Sequence, residues 1–396
     1  MDHSLKKLAV VTGSRAEYGL LKPVIKKLLE RKDIDTHVVV TGAHLSERYG
    51  MTVSEIEKDG IPIAARVDIL RFEDSETRIS DTVSYAISEY TRTLKEMKPD
   101  CVLVLGDRYE IFAFVLSASI LGIPVAHISG GDVTLGSADD WYRHCITKMS
   151  ALHFPACADS RDRLIRMGEA PERVFLVGGL GDENIRSTPL MDEKTLSKST
   201  GFDLSRPFAL VTYHPETDAN ACDPAEGARS MLSAMEILNK ESGLVYLITE
   251  SNADNGGAAI NEQLHKWNRE HSDISVVFSS LGSLRYLSAM SLASLVLGNS
   301  SSGVVETPSF RVPCVNIGSR QTGREVCANV ICCGGETELI TEAMRKAISD
   351  EFRETAAKTV SPYYGENTSG DVAEITVSKI NSGFLKQTKS FYDLIK

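Results

Sequence analysis

The sequence predicts an α/β protein of two doubly wound, Rossmann-like domains facing a cleft. Three observations carry this expectation. Short β-branched runs alternate with amphipathic stretches of crossover length, the alternation restarts after a polar interval, and 396 residues exceed one core of ordinary size. Parallel strands need such crossovers, so both sheets should be mostly parallel.

In the first series the strands are Leu8 to Thr12, His37 to Thr41, Cys101 to Leu105, Val125 to Ser129 and Val174 to Val177. Between them, Leu20 to Arg31 and Ser80 to Met97 have helical periodicity. The interval from Ser187 to Arg206 is rich in Ser, Thr, Lys and Asp and is flanked by Pro207, which marks a boundary. The second series follows with strands Phe208 to Tyr213, Leu244 to Thr249, Ile274 to Phe278, Leu295 to Leu297 and Val312 to Ile317. Its helices are Ala225 to Asn239 and Ala258 to Arg269. A last amphipathic stretch, Val372 to Ile380, is expected to pack back on the first domain. The domains are therefore drawn as 1–186 and 187–371, with 372–396 returning to the first.

Composition narrows the function. A soluble globular protein is indicated by 42% hydrophobic and 24% charged residues. The net charge of −11 and the lack of a basic block argue against nucleic acid as a partner. Cysteines at 101, 145, 157, 222, 314, 327, 332 and 333 form no C-x-x-C pair, which suggests reduced, mostly buried thiols and no metal site. The first strand begins too early for a secretion signal to precede it, and no apolar run reaches membrane-spanning length. A cytoplasmic enzyme with no membrane partner is the expectation.

Chemistry gathers at predicted strand ends, where open α/β sheets bind ligands. After Cys101 to Leu105 comes Gly106-Asp107-Arg108-Tyr109; after the next strand, His127-Ile128-Ser129-Gly130-Gly131-Asp132; then Asp139-Asp140-Trp141-Tyr142-Arg143-His144. A bland account would make every one of these carboxylates a helix cap or a surface ion pair. A reacting site explains the crowding better.

Three further stretches are candidate anion sites. The turn Thr12-Gly13-Ser14-Arg15-Ala16-Glu17-Tyr18-Gly19 lacks G-x-G-x-x-G and is no Walker loop, yet Arg15 at a helix start favours an anion. Gly298-Asn299-Ser300-Ser301-Ser302-Gly303 could cradle a diphosphate, with Glu306 accepting two ribose hydroxyls, or could be a Ser-rich cap. His214, before Pro215, and Arg320 also stand at strand ends, where a structural His and a solvated Arg are the plain alternatives.

These motifs resemble the UDP-N-acetylglucosamine 2-epimerase family, and within it the hydrolysing branch that feeds sialic-acid-type sugar synthesis. The likeness runs from Thr12–Gly19 through Leu105-Gly106-Asp107-Arg108, Asp139-Asp140 with Arg143-His144, and Gly298-Asn299-Ser300-Ser301 to Gly318-Ser319-Arg320-Gln321-Thr322-Gly323-Arg324-Glu325. It implies a fold like that of GT-B glycosyltransferases, no cofactor and a homodimer or homotetramer. It also implies that Arg15, His214, Ser300, Ser301, Glu306 and Arg320 hold UDP, with Gly19, His44, Arg108, Arg143, Asn252 and Gly303 completing the UDP-sugar site. Asp107 and Asp139 would be the catalytic carboxylates, with His214, Asp132, Ser129 and His127 beside them.

The implied reaction is anti elimination of UDP from UDP-N-acetylglucosamine to a 2-acetamidoglycal, followed by hydration to N-acetylmannosamine. Ser129 departs from the pattern, since many hydrolysing relatives have Glu there, and a serine hydroxyl is no general base at neutral pH. Either Asp107, Asp132 or His127 covers that role, or the smaller residue makes room for a different sugar. The second option makes UDP-2,4-diacetamido-2,4,6-trideoxyglucose (UDP-N,N'-diacetylbacillosamine), a precursor of legionaminic acid, the alternative substrate. A non-hydrolysing 2-epimerase, a glycosyltransferase and a nucleotide-sugar sensor are the rival functions.

Overall fold

The computed structural model describes residues 5–71, 77–134, 138–215, 224–251, 256–322 and 324–394. Two compact units divide the chain: one runs to Asn184 and resumes at Pro362, and the other is Ile185–Ser361. Each holds one six-stranded parallel sheet.

The first sheet comprises β1 (Lys7–Thr12), β2 (Asp35–Thr41), β3 (Ile63–Val67), β4 (Cys101–Leu105), β5 (Val125–Ile128) and β6 (Leu152–Phe154), in the order β3-β2-β1-β4-β5-β6. The second comprises β7 (Phe208–Thr212), β8 (Val245–Thr249), β9 (Ser275–Phe278), β10 (Leu295–Gly298), β11 (Cys314–Ile317) and β12 (Val330–Cys333), in the order β12-β11-β10-β7-β8-β9. Both are the same doubly wound arrangement. The order reverses between β1 and β4 in the first sheet and between β7 and β10 in the second, and such switch points open a crevice at the strand ends.

Why these runs become central strands is visible in β4. Cys101, Leu103 and Leu105 enter the core on one face of the sheet, while Val102 and Val104 enter the core on the other. A strand covered on both sides reads as an unbroken apolar run. Burial of each such side chain contributes about 1.5–3 kcal/mol before entropy is subtracted.

Two strand expectations are corrected, and β3, β6 and β12 join those foreseen. Val174 to Val177 is no strand: Val174 makes one isolated bridge to His153, and Phe175 N–H donates to His153 O (2.9 Å). The sixth strand is β6 instead, and Pro155 directly after it supplies no N–H to continue the ladder. Edge strands β3 and β12, not foreseen, are short and only partly buried, and β3 includes Arg66. β5 stops at Ile128, because Ser129 turns into the left-handed region (φ 61°).

The returning helix is Thr368–Asn381, longer toward its N-terminus than expected and ending well before the chain does. Its Val372, Ala373, Val377 and Ile380 share a core with Tyr18, Leu21, Val24 and Leu28 of the helix Arg15–Leu29. Of the described cysteines, only Cys101, Cys157 and Cys314 are buried, whereas Cys145 and Cys332 are exposed, and Cys222 lies outside the described residues. Among the described residues no helix is long and apolar enough to cross a membrane, and no three His, Cys, Asp or Glu side chains converge as metal ligands would.

Candidate active site

At the first switch point, β4 ends in Gly106, whose φ of 82° turns the chain before Asp107 and Arg108. Arg108 then caps the helix Tyr109–Ile120. Asp107 meets Arg143, which projects from the helix Ala138–Met149. Arg143 is 5% exposed and distributes its N–H groups over a small knot. Nη1 donates to Asp132 O (2.9 Å) and Asp140 Oδ1 (3.1 Å), and Nη2 donates to Thr134 Oγ1 (3.1 Å) as well as to Asp107. Asp140 also accepts from Thr134 N–H at 2.7 Å, which fixes the approach to the helix. A planar guanidinium suits this multiple role, because its donors are fixed in one fork.

The β5 end supplies the other wall. His127 is fully buried, with Nε2 against Gly106 O at 2.8 Å, and burial pushes its pKa down to about 3. It is therefore neutral, with Nε2 carrying the proton and Nδ1 meeting no partner among the described residues. Gly130 has no room for a side chain, since an added Cβ would lie 2.9 Å from His127 Nδ1 and 3.1 Å from Thr147 Oγ1. Asp132 accepts from Ser160 Oγ, and burial raises its pKa. Burial also lowers the pKa of His144, 3.6 Å from Asp140. Asp139 is partly exposed in the first turn of the same helix.

A second carboxylate pair, missed from the sequence, lies beneath this turn. Glu17 accepts from Gly13 N–H (3.1 Å), and burial raises its pKa to about 8. Glu110, 1% exposed, accepts from Arg108 Nε (3.0 Å) and Nη2 (2.8 Å). Glu110 thus takes up one edge of the Arg108 guanidinium. Both sites were hidden because Glu in the first helical turn ordinarily faces solvent.

In the second unit the side chain of Asn299 ties two strand ends together. Its Oδ1 accepts from His214 N–H (2.7 Å), its Nδ2 donates to His214 O (2.8 Å), and its backbone O accepts from Gln321 Nε2 (2.8 Å). Arg320 Nη1 reaches the same carbonyl at 3.4 Å. His214 is buried, with Nδ1 3.3 Å from Ser251 Oγ. This clamp demands Gly298: its φ is 135°, and a Cβ there would lie 1.9 Å from Thr212 O. Ser300 Oγ contacts Ser302 Oγ (2.9 Å), which contacts Tyr286 OH (2.7 Å). The Glu306 carboxylate meets no donor among the described residues, and burial raises its pKa. Ser301, at the start of the short helix Ser301–Val305, is partly exposed.

The model of the family described as UDP-N-acetylglucosamine 2-epimerase matches residues 26–376. The chain belongs to that family. It is 36% identical over 351 residues to the GDP/UDP-N,N'-diacetylbacillosamine 2-epimerase (hydrolyzing) of Campylobacter jejuni, covering 89% of this chain and 90% of the relative. It is 35% identical over 394 residues to polysialic acid biosynthesis protein P7 of Escherichia coli, 98% of each chain. Against the UDP-N,N'-diacetylbacillosamine 2-epimerase (hydrolyzing) of Legionella pneumophila it is 33% identical over 345 residues, 87% of this chain and 89% of the other. The fold is that of UDP-GlcNAc 2-epimerase from Neisseria meningitidis bound to UDP-GlcNAc. That structure has TM-score 0.75 and 21% identity, over 95% of this chain and 100% of that one.

Within this 2-epimerase, several other residues expected at the site have contacts of their own in the fold. His44 is fully buried between Thr12 Oγ1 (3.1 Å) and Thr52 Oγ1 (2.8 Å), so both ring nitrogens are taken, and burial lowers its pKa to about 4. Gly303 packs its helix on the sheet, with a Cβ there 3.1 Å from Cys314 Sγ. Gly19 sits inside the helix Arg15–Leu29 with open space where a Cβ would be, and its carbonyl accepts from Asn184. The Arg15 side chain is 73% exposed and pairs with Glu55 at 3.0 Å. Asn252 lies outside the described residues.

Proposed function

We propose that this 2-epimerase is hydrolytic and that its substrate is a UDP-linked 2-acetamido sugar. The observation that carries the reading is Asp107, presented at the end of β4 and oriented by the buried Arg143 among Asp132 and Asp140. A carboxylate held this way suits general-base removal of the C2 proton. The C2–H electrons then form the C1–C2 double bond as the C1–O bond breaks and UDP departs. Water adds its oxygen to C1 of the glycal and a proton returns to C2 from the other face, so the products are UDP and the free 2-epimer.

On this reading Asp139, beside the Arg143 knot, handles protons at the glycal. His214, Arg320, Ser300 and Ser301 receive UDP, while Glu306 accepts from the ribose hydroxyls. Arg15, exposed and paired with Glu55, is the remaining cation for the diphosphate on this reading. Glu306→Ala is expected to weaken UDP binding about tenfold, the scale of a charged hydrogen bond, and calorimetric titration with UDP checks it. Unchanged affinity would place the ribose elsewhere.

For the sugar, we favour UDP-2,4-diacetamido-2,4,6-trideoxyglucose. Two relatives, at 36% and 33% identity, carry that substrate in their names, and Ser129 offers less bulk than Glu. The family model favours UDP-GlcNAc as the second reading. The reading carries with it a cytoplasmic location, a homodimer or homotetramer, and a product that enters sialic- or legionaminic-acid synthesis.

Incubation with each UDP-sugar in D2O, followed by NMR, separates these ideas. Release of UDP with deuterium at C2 of a free sugar is expected, faster with the diacetamido substrate. Interconversion of UDP-sugars without net UDP release would make the enzyme non-hydrolysing. Turnover only with an added acceptor would make it a transferase, and UDP binding without any turnover would make it a sensor.

A further inference from the structure

Beyond the returning helix, the segment after Gln387 runs across the end of the helix that bears Asp139, Asp140 and Arg143. Lys389 Nζ donates to three carbonyls there: Ser150 O (2.7 Å), Lys148 O (3.0 Å) and Thr147 O (3.4 Å). Terminal carbonyls have no partner within their own helix, and a cation among them also complements the helix dipole. The same ammonium pairs with Glu169 Oε2 at 2.6 Å.

Glu169 is wholly buried and also accepts from Lys148 Nζ (2.7 Å) and His153 Nε2 (2.8 Å). Burial alone would raise its pKa, but the bonds from His153, Lys148 and Lys389 outweigh it and hold the pKa near 2. The carboxylate is thus ionised and fully engaged. The chain around Lys389 is pinned on both sides. Arg173 donates to Gln387 O (3.3 Å), Tyr392 N–H donates to Gly168 O (2.9 Å), and the Phe391 ring leaves no room for a Cβ on Gly168.

His153 carries the connection into the sheet. It is paired in register with His127 of β5, and the next residue, Phe154, accepts from Ser129 N–H at 2.9 Å. That bond holds Ser129 in its left-handed conformation. One buried carboxylate therefore touches both supports of the carboxylate cluster: the C-terminal turn of the Arg143 helix and the strand behind Ser129.

We propose that Lys389, acting through Glu169, is a positioning residue for the carboxylate cluster, so that the C-terminal strap sets turnover without touching the substrate. The inference rests on the hydrolytic reading above. Neutralising Lys389 would leave Glu169 one cation short and uncap three carbonyls, allowing the Arg143 helix to shift. Misplacement of catalytic groups by about 1 Å can cost about 10²-fold in rate, so a smaller shift is expected to cost about tenfold.

The test compares wild type, Lys389→Met and Lys389→Arg in the full-length chain with the preferred UDP-sugar. Lys389→Met should lower kcat and C2 deuterium exchange about tenfold, with UDP affinity within about twofold of wild type. Lys389→Arg, which keeps the charge, should recover most of the rate. Wild-type kcat in a folded Lys389→Met enzyme overturns the proposal, as does equal loss of kcat and UDP affinity. If Lys389→Met does not fold, Phe391→Ala loosens the strap more gently, and an unchanged kcat there is equally decisive. Absence of UDP release by the wild type itself would instead count against the hydrolytic reading.

Discussion

Asp107→Asn is expected to lower kcat by about 10² or more, the loss that follows removal of a general base. The substitution keeps the size of the side chain and can still place an oxygen near Arg143. Asp140, Asp132 O and Thr134 remain as acceptors for that guanidinium, so the knot should persist. UDP affinity should be unchanged, and UDP release and C2 exchange should fall together when followed by NMR. Near-normal turnover would remove Asp107 from the chemistry. A fall in UDP release alone, with C2 exchange intact, would move its role from proton removal to leaving-group departure.

Arg143→Met should be the most damaging change to the first unit. Methionine matches the apolar stem but leaves Asp107 and Asp140 without their buried cation, and breaking such a pair typically costs about 3–5 kcal/mol. The denaturant midpoint should drop at constant slope, and kcat should fall at least as far as in Asp107→Asn. Because the two side chains touch, their effects should not add. The double variant Asp107→Asn/Arg143→Met is expected to be less unstable than the sum of the singles. Stability within about 1 kcal/mol of wild type would mean that the pair is not the support drawn here.

The central strands and the strand-end motifs were legible because both are local signals. β1, β4, β7 and β8 are covered on both faces, so their apolar runs stand out without any knowledge of neighbours. Asp107, Asp132 and Arg143 could be grouped because strand ends are where doubly wound sheets put ligands. Two edge strands escaped notice: β3 and β12 are short and half exposed, and Arg66 interrupts the apolar character of β3.

What escaped at the site was partnership. Nothing in the local sequence distinguishes Asp140, in the Arg143 knot, from Asp139, which precedes it and carries the motif. Asn299 looked like part of a Ser-rich cap, yet its amide joins the β7 and β10 ends through His214. His44 looked available to a ligand, but two threonines from different segments consume both its nitrogens. Glu17 and Glu110 carry no signal of burial in the sequence, since acids in a first helical turn ordinarily face solvent, yet both are buried.

The sequence by itself determined the doubly wound class, the residues placed at the strand ends and the membership suggested by motifs in order, because periodicity and motif spacing are properties of the chain alone. Only the tertiary structure decided which of those polar residues are paired, which are neutral and which are spent on packing. Hydrogen-bond partners and burial are set by segments far apart in sequence, as Lys389 with Ser150 and Glu169 makes plain.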